Sequence, residues 1–114
     1  MTEFPSLPRA YLRPCLLVLL AEGPSHGYEL LEEVRGLGLV AAEAGGLYRS
    51  LRSMDEDGLV RSWWEPSESG PARRTYEITR AGRVALTAEL EGIEHIAGLL
   101  TGIVERSRLG DPTP

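Results

Sequence analysis

Two pairs of arginines are the residues of this chain best suited to chemistry with a partner. Arg49 and Arg52 stand three apart, and Arg73 and Arg74 are adjacent. Arginine's planar fork donates two parallel hydrogen bonds, which matches a phosphate or the O6/N7 edge of guanine. Around the first pair, Ala44 to Asp57 reads as a helix. At about 100° per residue, Leu47, Leu51 and Met54 fall in a narrow arc, the core face. Gly45, Arg49, Arg52 and Ser53 fall opposite, with Tyr48 at the flank, so both arginines project from an exposed face. The pair Gly45-Gly46 lowers helix propensity by about 1 kcal/mol per glycine. Close backbone approach to a phosphate at the helix start would offset that cost.

The second pair follows a hairpin. A strand is expected over Leu59–Glu65, a turn over Pro66–Pro71 and a returning strand over Ala72–Thr79. Adjacent strand residues point to opposite faces, so Arg73 and Arg74 cannot both lie in one groove. By the same rule, one ring of Trp63-Trp64 is expected inward and the other partly exposed. A helix beside an arginine-tipped hairpin is the layout of a winged helix gripping duplex DNA.

Catalysis would need a nucleophile beside a base, two placed carboxylates or a metal cluster. The single cysteine, Cys15, lies in an apolar run and reads as a buried core thiol. The two histidines fall on different helices, and no phosphate-loop or zinc spacing occurs. No enzymatic activity, metal or cofactor is expected.

The elements that hold these arginines are mostly helical. The chain has 114 residues, 42% of them apolar, enough for one domain with a small core and an extension. Its net charge of −5 argues against indiscriminate nucleic-acid binding, so any DNA-reading surface must segregate its positive groups. Residues 1–7 read as a loose arm. Pro8 and Pro14 suit the early turns of a helix that Leu16, Leu17, Leu19 and Leu20 would bury, and Gly23-Pro24 ends it. Ser25 is the expected cap of a second helix, His26 to about Arg35, with Leu30, Leu31 and Val34 inward and Gly36 and Gly38 closing it. The apolar run Cys15–Ala21 is too short to span a bilayer, so a soluble, cytoplasmic protein is expected.

Leu16–Leu20, then Gly23-Pro24-Ser25-His26-Gly27-Tyr28-Glu29-Leu30, Gly46-Leu47-Tyr48, Asp57-Gly58-Leu59-Val60 and Arg73-Arg74-x-Tyr76-x-Ile78-Thr79-x-x-Gly82 together resemble the PadR family of transcriptional regulators. That resemblance implies an α+β, mostly α fold: a winged helix-turn-helix over residues 1–79, with a long C-terminal dimerisation helix over 80–109. It also implies a homodimeric repressor on a palindromic operator, with an unidentified small-molecule effector. Gly46 and Tyr48 would sit in the recognition helix, and Tyr48 would touch backbone phosphate. Arg73 and Arg74 match the basic pair of the wing. His26 and Tyr28 match the start of the second helix, where they either contact DNA or cap and pack the helix. Many relatives carry a small hydroxyl residue at the position of Gly46 and a proline at that of Arg49, so operator sequence does not transfer.

From Thr79, the expected N-cap, one helix is expected to about Arg108. Leu86, Leu90, Ile93, Ala97, Leu100 and Val104 recur at alternating spacings of four and three, a heptad seam that Ile96, Leu99 and Ile103 widen. The seam packs either on its twin or back on its own chain, and the width of the stripe favours the twin. His95 lies on the polar side among Glu91, Glu94 and Glu105. No aromatic residue lies in this helix, which disfavours a stacked-ring effector pocket there. A tail over 110–114 is expected to be disordered. The competing reading is a dimeric protein–protein interaction module that uses the Trp63-Trp64 surface and the acidic helices.

Overall fold

Apolar spacing sets the order of elements in the computed structural model, which describes residues 5–110. A 3-10 turn over Arg9–Tyr11 leads into α1 (Leu12–Ala21), followed by β1 (Ser25–His26), α2 (Gly27–Gly36), α3 (Ala44–Glu56), β2 (Val60–Ser67), β3 (Gly70–Ile78) and α4 (Arg80–Gly110). Pro14 lies in the first turn of α1, where its missing N–H costs no helical bond. Leu16, Leu17 and Leu20 of α1, Leu30 and Val34 of α2, Leu47, Leu51 and Met54 of α3, and Val60, Tyr76 and Ile78 of the sheet form one buried cluster. Cys15 is half-buried at its edge rather than enclosed in it.

Two helix ends close in the same way. After α3, Gly58 takes a left-handed φ of 77°, the Leu59 N–H donates to the Met54 carbonyl and the Gly58 N–H to that of Asp55. After α2, Gly38 at φ 120° lets Leu39 N–H reach Val34 and Gly38 N–H reach Arg35. Both are Schellman closures, and both place a buried leucine against the buried residue five positions earlier. They aim α3 and the hairpin from the same core.

The sheet has three antiparallel strands in the order β1-β3-β2. The sequence gives no strand signal at Ser25-His26. These two residues become a strand because β3 offers its free edge, pairing Ser25 with Tyr76 and His26 with Thr75. The second helix therefore begins at Gly27 and not at His26. Ser25 is not its cap: His26 occupies the cap position without a side-chain cap bond, and the Ser25 hydroxyl donates to Glu29 at 3.2 Å. The expected six-residue turn shrinks to Glu68-Ser69, with a register shift between Glu65 and Ser67. Pro66, which lacks an N–H, lies in that irregularity.

The loose arm expected over residues 1–7 is corrected at its end. Leu7 N–H donates to the Gly38 carbonyl at 2.8 Å, and the Ser6 hydroxyl oxygen accepts from Ala41 N–H. Arg35 grips the same loop through the Ala42 carbonyl, by Nε at 2.9 Å and Nη2 at 2.7 Å. The α2–α3 turn is thus held from two sides. Residues 1–4 and 111–114 lie outside the described residues, and Gly110, placed in the tail by sequence, ends α4.

α4 leaves the core after about two turns. Thr79 caps it as expected: its hydroxyl oxygen accepts from Gly82 N–H at 3.0 Å while its proton goes to the Gly58 carbonyl at 2.6 Å. Gly82 is required there, because a Cβ would collide with the Leu59 carbonyl and lie 2.7 Å from Ile78 Cγ1. Arg13 of α1 then fastens the helix through Glu89 at 2.9 Å. Leu86 corrects the dimerisation seam, since it is buried in its own chain's core. From Leu90 onward the seam is exposed apart from half-buried Ile93, on a helix about 46 Å long in all.

Candidate nucleic-acid interface

The wheel of α3 holds as expected. Leu47 and Leu51 are fully buried and Met54 nearly so, while Gly45, Tyr48, Arg49, Arg52 and Ser53 are exposed. The conformation of Arg49 adds a steric reason for Gly45 and none for Gly46. The Arg49 guanidinium folds back along the helix, and a Cβ on Gly45 would stand 3.3 Å from Nη1, one on Gly46 3.8 Å from Nη2. Side chains on a helix lean toward its N-terminus, so the guanidinium passes close over Gly45 and at ordinary contact distance from Gly46. Among the described residues neither Arg49 nor Arg52 makes an ion pair.

Tyr48 is 44% exposed and its ring lies across the start of α2. A Cβ on Gly27 would fall 2.5 Å from Tyr48 Cε1 and 2.6 Å from its hydroxyl oxygen. Gly27 therefore provides the space in which Tyr48 is held. His26 is bound into the sheet, with Nδ1 3.2 Å from Thr75 Oγ1. Tyr28 is 69% exposed, which corrects the reading in which it packs the helix start.

The wing joins this surface through Tyr76. Burial pushes its hydroxyl above the ordinary pKa of 10.0, and Arg74, Tyr48, Asp55 and Arg52 all lie close enough to act on it. α3 and the hairpin thus present neighbouring faces. The two wing arginines diverge as strand geometry requires. Arg73 lines a small cavity of about 200 Å³ with His26, Glu65, Pro66 and Ser67, and makes no ion pair among the described residues. Arg74 is engaged: Nε donates to Ser62 Oγ at 2.9 Å, Nη2 lies 3.8 Å from Asp55 Oδ2, and the guanidinium stands 5.6 Å from the Trp64 ring centre. No sequence signal tied Arg74 to Asp55, which lies nineteen positions earlier on another element.

Trp63 and Trp64 depart from the one-in, one-out expectation, at 37% and 64% exposed. Trp63 lies opposite buried Thr75 on β3 and is the less exposed of the two. Trp63 Nε1 donates to Glu65 Oε1 at 3.0 Å, and Trp64 supports Arg74. A larger groove, about 570 Å³, runs beside α3 between Ser6, Leu7, Arg9, Leu39 and Arg49. Among the described residues no His/Cys/Asp/Glu group could hold a metal ion, and no helix is long and apolar enough to cross a membrane.

Three helices, a paired wing and exposed arginines on α3 and β3 define the class: a winged-helix DNA-binding protein with an added C-terminal helix. The model of the Transcriptional regulator PadR-like family matches residues 16–88, more than half of the chain. The chain belongs to the PadR-like family and is a DNA-binding transcriptional regulator. Among solved structures it is similar to a PadR family transcriptional regulator from Eggerthella lenta, at 30% identity, TM-score 0.69, over 84% of this chain and 82% of that one. It is also similar to a transcriptional regulator from Clostridium thermocellum, at 26% identity, TM-score 0.74, over 84% and 92%. A PadR-like regulator from Bacillus cereus aligns at 25% identity, TM-score 0.67, over 90% and 96%. The chain matches none of the curated proteins. These likenesses favour the DNA-binding regulator over the interaction-module reading.

Proposed function

We propose that the protein is a homodimeric repressor whose two copies join through α4 and lay their α3 helices in successive major grooves of a palindromic operator, about 34 Å apart. The observation that carries this reading is the seam on α4. Leu90, Ile96, Leu99, Leu100, Ile103 and Val104 are all exposed in the single chain, on a helix that touches its own core only at its first turns. An apolar stripe of this length is an interaction site by default, and its heptad spacing suits a second copy.

In each head Arg49, Arg52 and Ser53 face the base edges, with Gly45 and Gly46 beside the backbone. Tyr48 and Arg73 reach phosphate, and His26 and Tyr28 lie at the margin. Promoter occupancy blocks transcription, and an effector that tilts the α4 helices would change the separation of the heads. The protein acts in the cytoplasm, where its DNA is.

The test is a titration against the DNA upstream of the protein's own gene at several salt concentrations. Wild-type protein is expected to prefer one fragment and to lose affinity linearly in log salt. Arg73→Ala removes one phosphate contact per copy and reduces the slope by roughly 0.9 per contact, about 1.8 per dimer. An unchanged slope would mean that Arg73 does not touch the backbone.

A further inference from the structure

Asp55 is in an unfavourable place for a carboxylate. It lies in the last turn of α3 with Glu56, beside Asp57, and that turn holds no basic residue. The negative end of the helix dipole disfavours acids there, and Asp55 and Asp57 are each met by an arginine from another element. Asp57 lies 3.8 Å from Arg13. Asp55 is reached from the wing: Ser62 Oγ donates to its Oδ2 at 2.8 Å, and Arg74 Nη2 approaches the same oxygen at 3.8 Å.

The contacts form a directed chain. Ser62 has one hydroxyl proton and gives it to Asp55, which leaves its lone pairs to accept Arg74 Nε–H at 2.9 Å. The indole of Trp64 backs the guanidinium. Arg74 is therefore fixed by β2 on two sides and by α3 on a third, while Arg73 is directed to the other face of the strand.

We propose that Arg74 is a positioning residue and not a phosphate ligand: with Ser62 it latches the wing to Asp55 of α3, fixing the angle between hairpin and reading helix and so the discrimination between DNA sequences. This rests on the DNA-reading proposal above. Phosphate contacts set register and base contacts specify. A wing released from α3 still holds phosphate through Arg73 but no longer fixes how the helix enters the groove. The latch therefore governs specificity without supplying counterion release.

The experiment compares full-length wild type, Asp55→Ala, Arg74→Ala, Arg74→Lys and the Asp55→Ala/Arg74→Ala double variant on the preferred upstream fragment and on an unrelated duplex. Asp55→Ala is expected to weaken the preferred fragment about tenfold and to leave the unrelated duplex and both salt slopes unchanged. Its melting temperature is expected to fall only slightly, because the bond lost from Ser62 is partly offset when an acid leaves a helix C-terminus. The double variant is expected to be no worse than either single one. Arg74→Lys, which keeps the charge but not the fork, is expected to lose specificity like Arg74→Ala. A slope reduced by Arg74→Ala and restored by Arg74→Lys would make Arg74 a direct phosphate ligand and overturn the inference. Tighter binding of both duplexes by Asp55→Ala would overturn it too, leaving only general charge repulsion. If the wild-type chain prefers no fragment, the DNA-reading proposal itself fails, and this inference with it.

Discussion

Leu100→Ala tests whether α4 is the dimer interface. Leu100 is 57% exposed in the single chain, so more than half of its side chain has its burial still to gain. Truncation of a fully buried leucine costs about 2–5 kcal/mol. Scaled to the exposed share, the loss is about 1.5 kcal/mol per copy, or about 3 kcal/mol in a twofold dimer where the residue occurs twice. That is about a hundredfold in dissociation constant. Alanine is the better helix former, so α4 itself is not weakened. Sedimentation equilibrium over a range of concentrations measures the effect, with His95→Ala as a control on the polar side of the same helix. Far-ultraviolet circular dichroism should show the helix retained. If Leu100→Ala dimerises within about threefold of wild type, or His95→Ala loses as much, the seam is not the interface.

Gly82→Ala is expected to destabilise by about 1–3 kcal/mol, because the added methyl meets a backbone carbonyl that cannot swing away; thermal unfolding would show a fall of several degrees. The three atoms nearest a Cβ on Gly27 all belong to the outer end of the Tyr48 ring, so Gly27→Ala displaces that ring. It should leave the melting temperature unchanged while weakening DNA binding about tenfold if Tyr48 bonds to phosphate, and equal binding by the variant would exclude that contact. Burial raises the pKa of the Cys15 thiol above 9.0 and that of the Tyr76 hydroxyl above 10.0. Both groups hold their proton more tightly folded than unfolded, so stability is complete below pH 9.0 and is lost as pH rises through the folded values. Denaturant midpoints from pH 8 to 11 check the sign, and a rising midpoint would refute it.

Local regularities made most of the architecture legible from sequence. The faces of α2 and α3 follow from a period of 3.6, and Gly38 and Gly58 end those helices because few other residues adopt their φ. Thr79 caps α4 through a bond three residues long. The divergence of Arg73 and Arg74 needs only the pleat of a strand. Each of these is set by neighbours within a turn or two along the chain.

The remaining features depend on groups far apart in sequence. Ser25-His26 is a strand because β3 leaves an edge for it, and Leu7 is held because Gly38 offers a carbonyl 31 residues away. Leu86 fits the heptad as well as Leu90 does, yet the core reaches the one and not the other. Trp63 and Trp64 both stay exposed, although Trp63 lies opposite buried Thr75 on β3. Arg73 and Arg74 are chemically identical neighbours, and only the placement of Asp55 on another element leaves one free for a partner and binds the other in place.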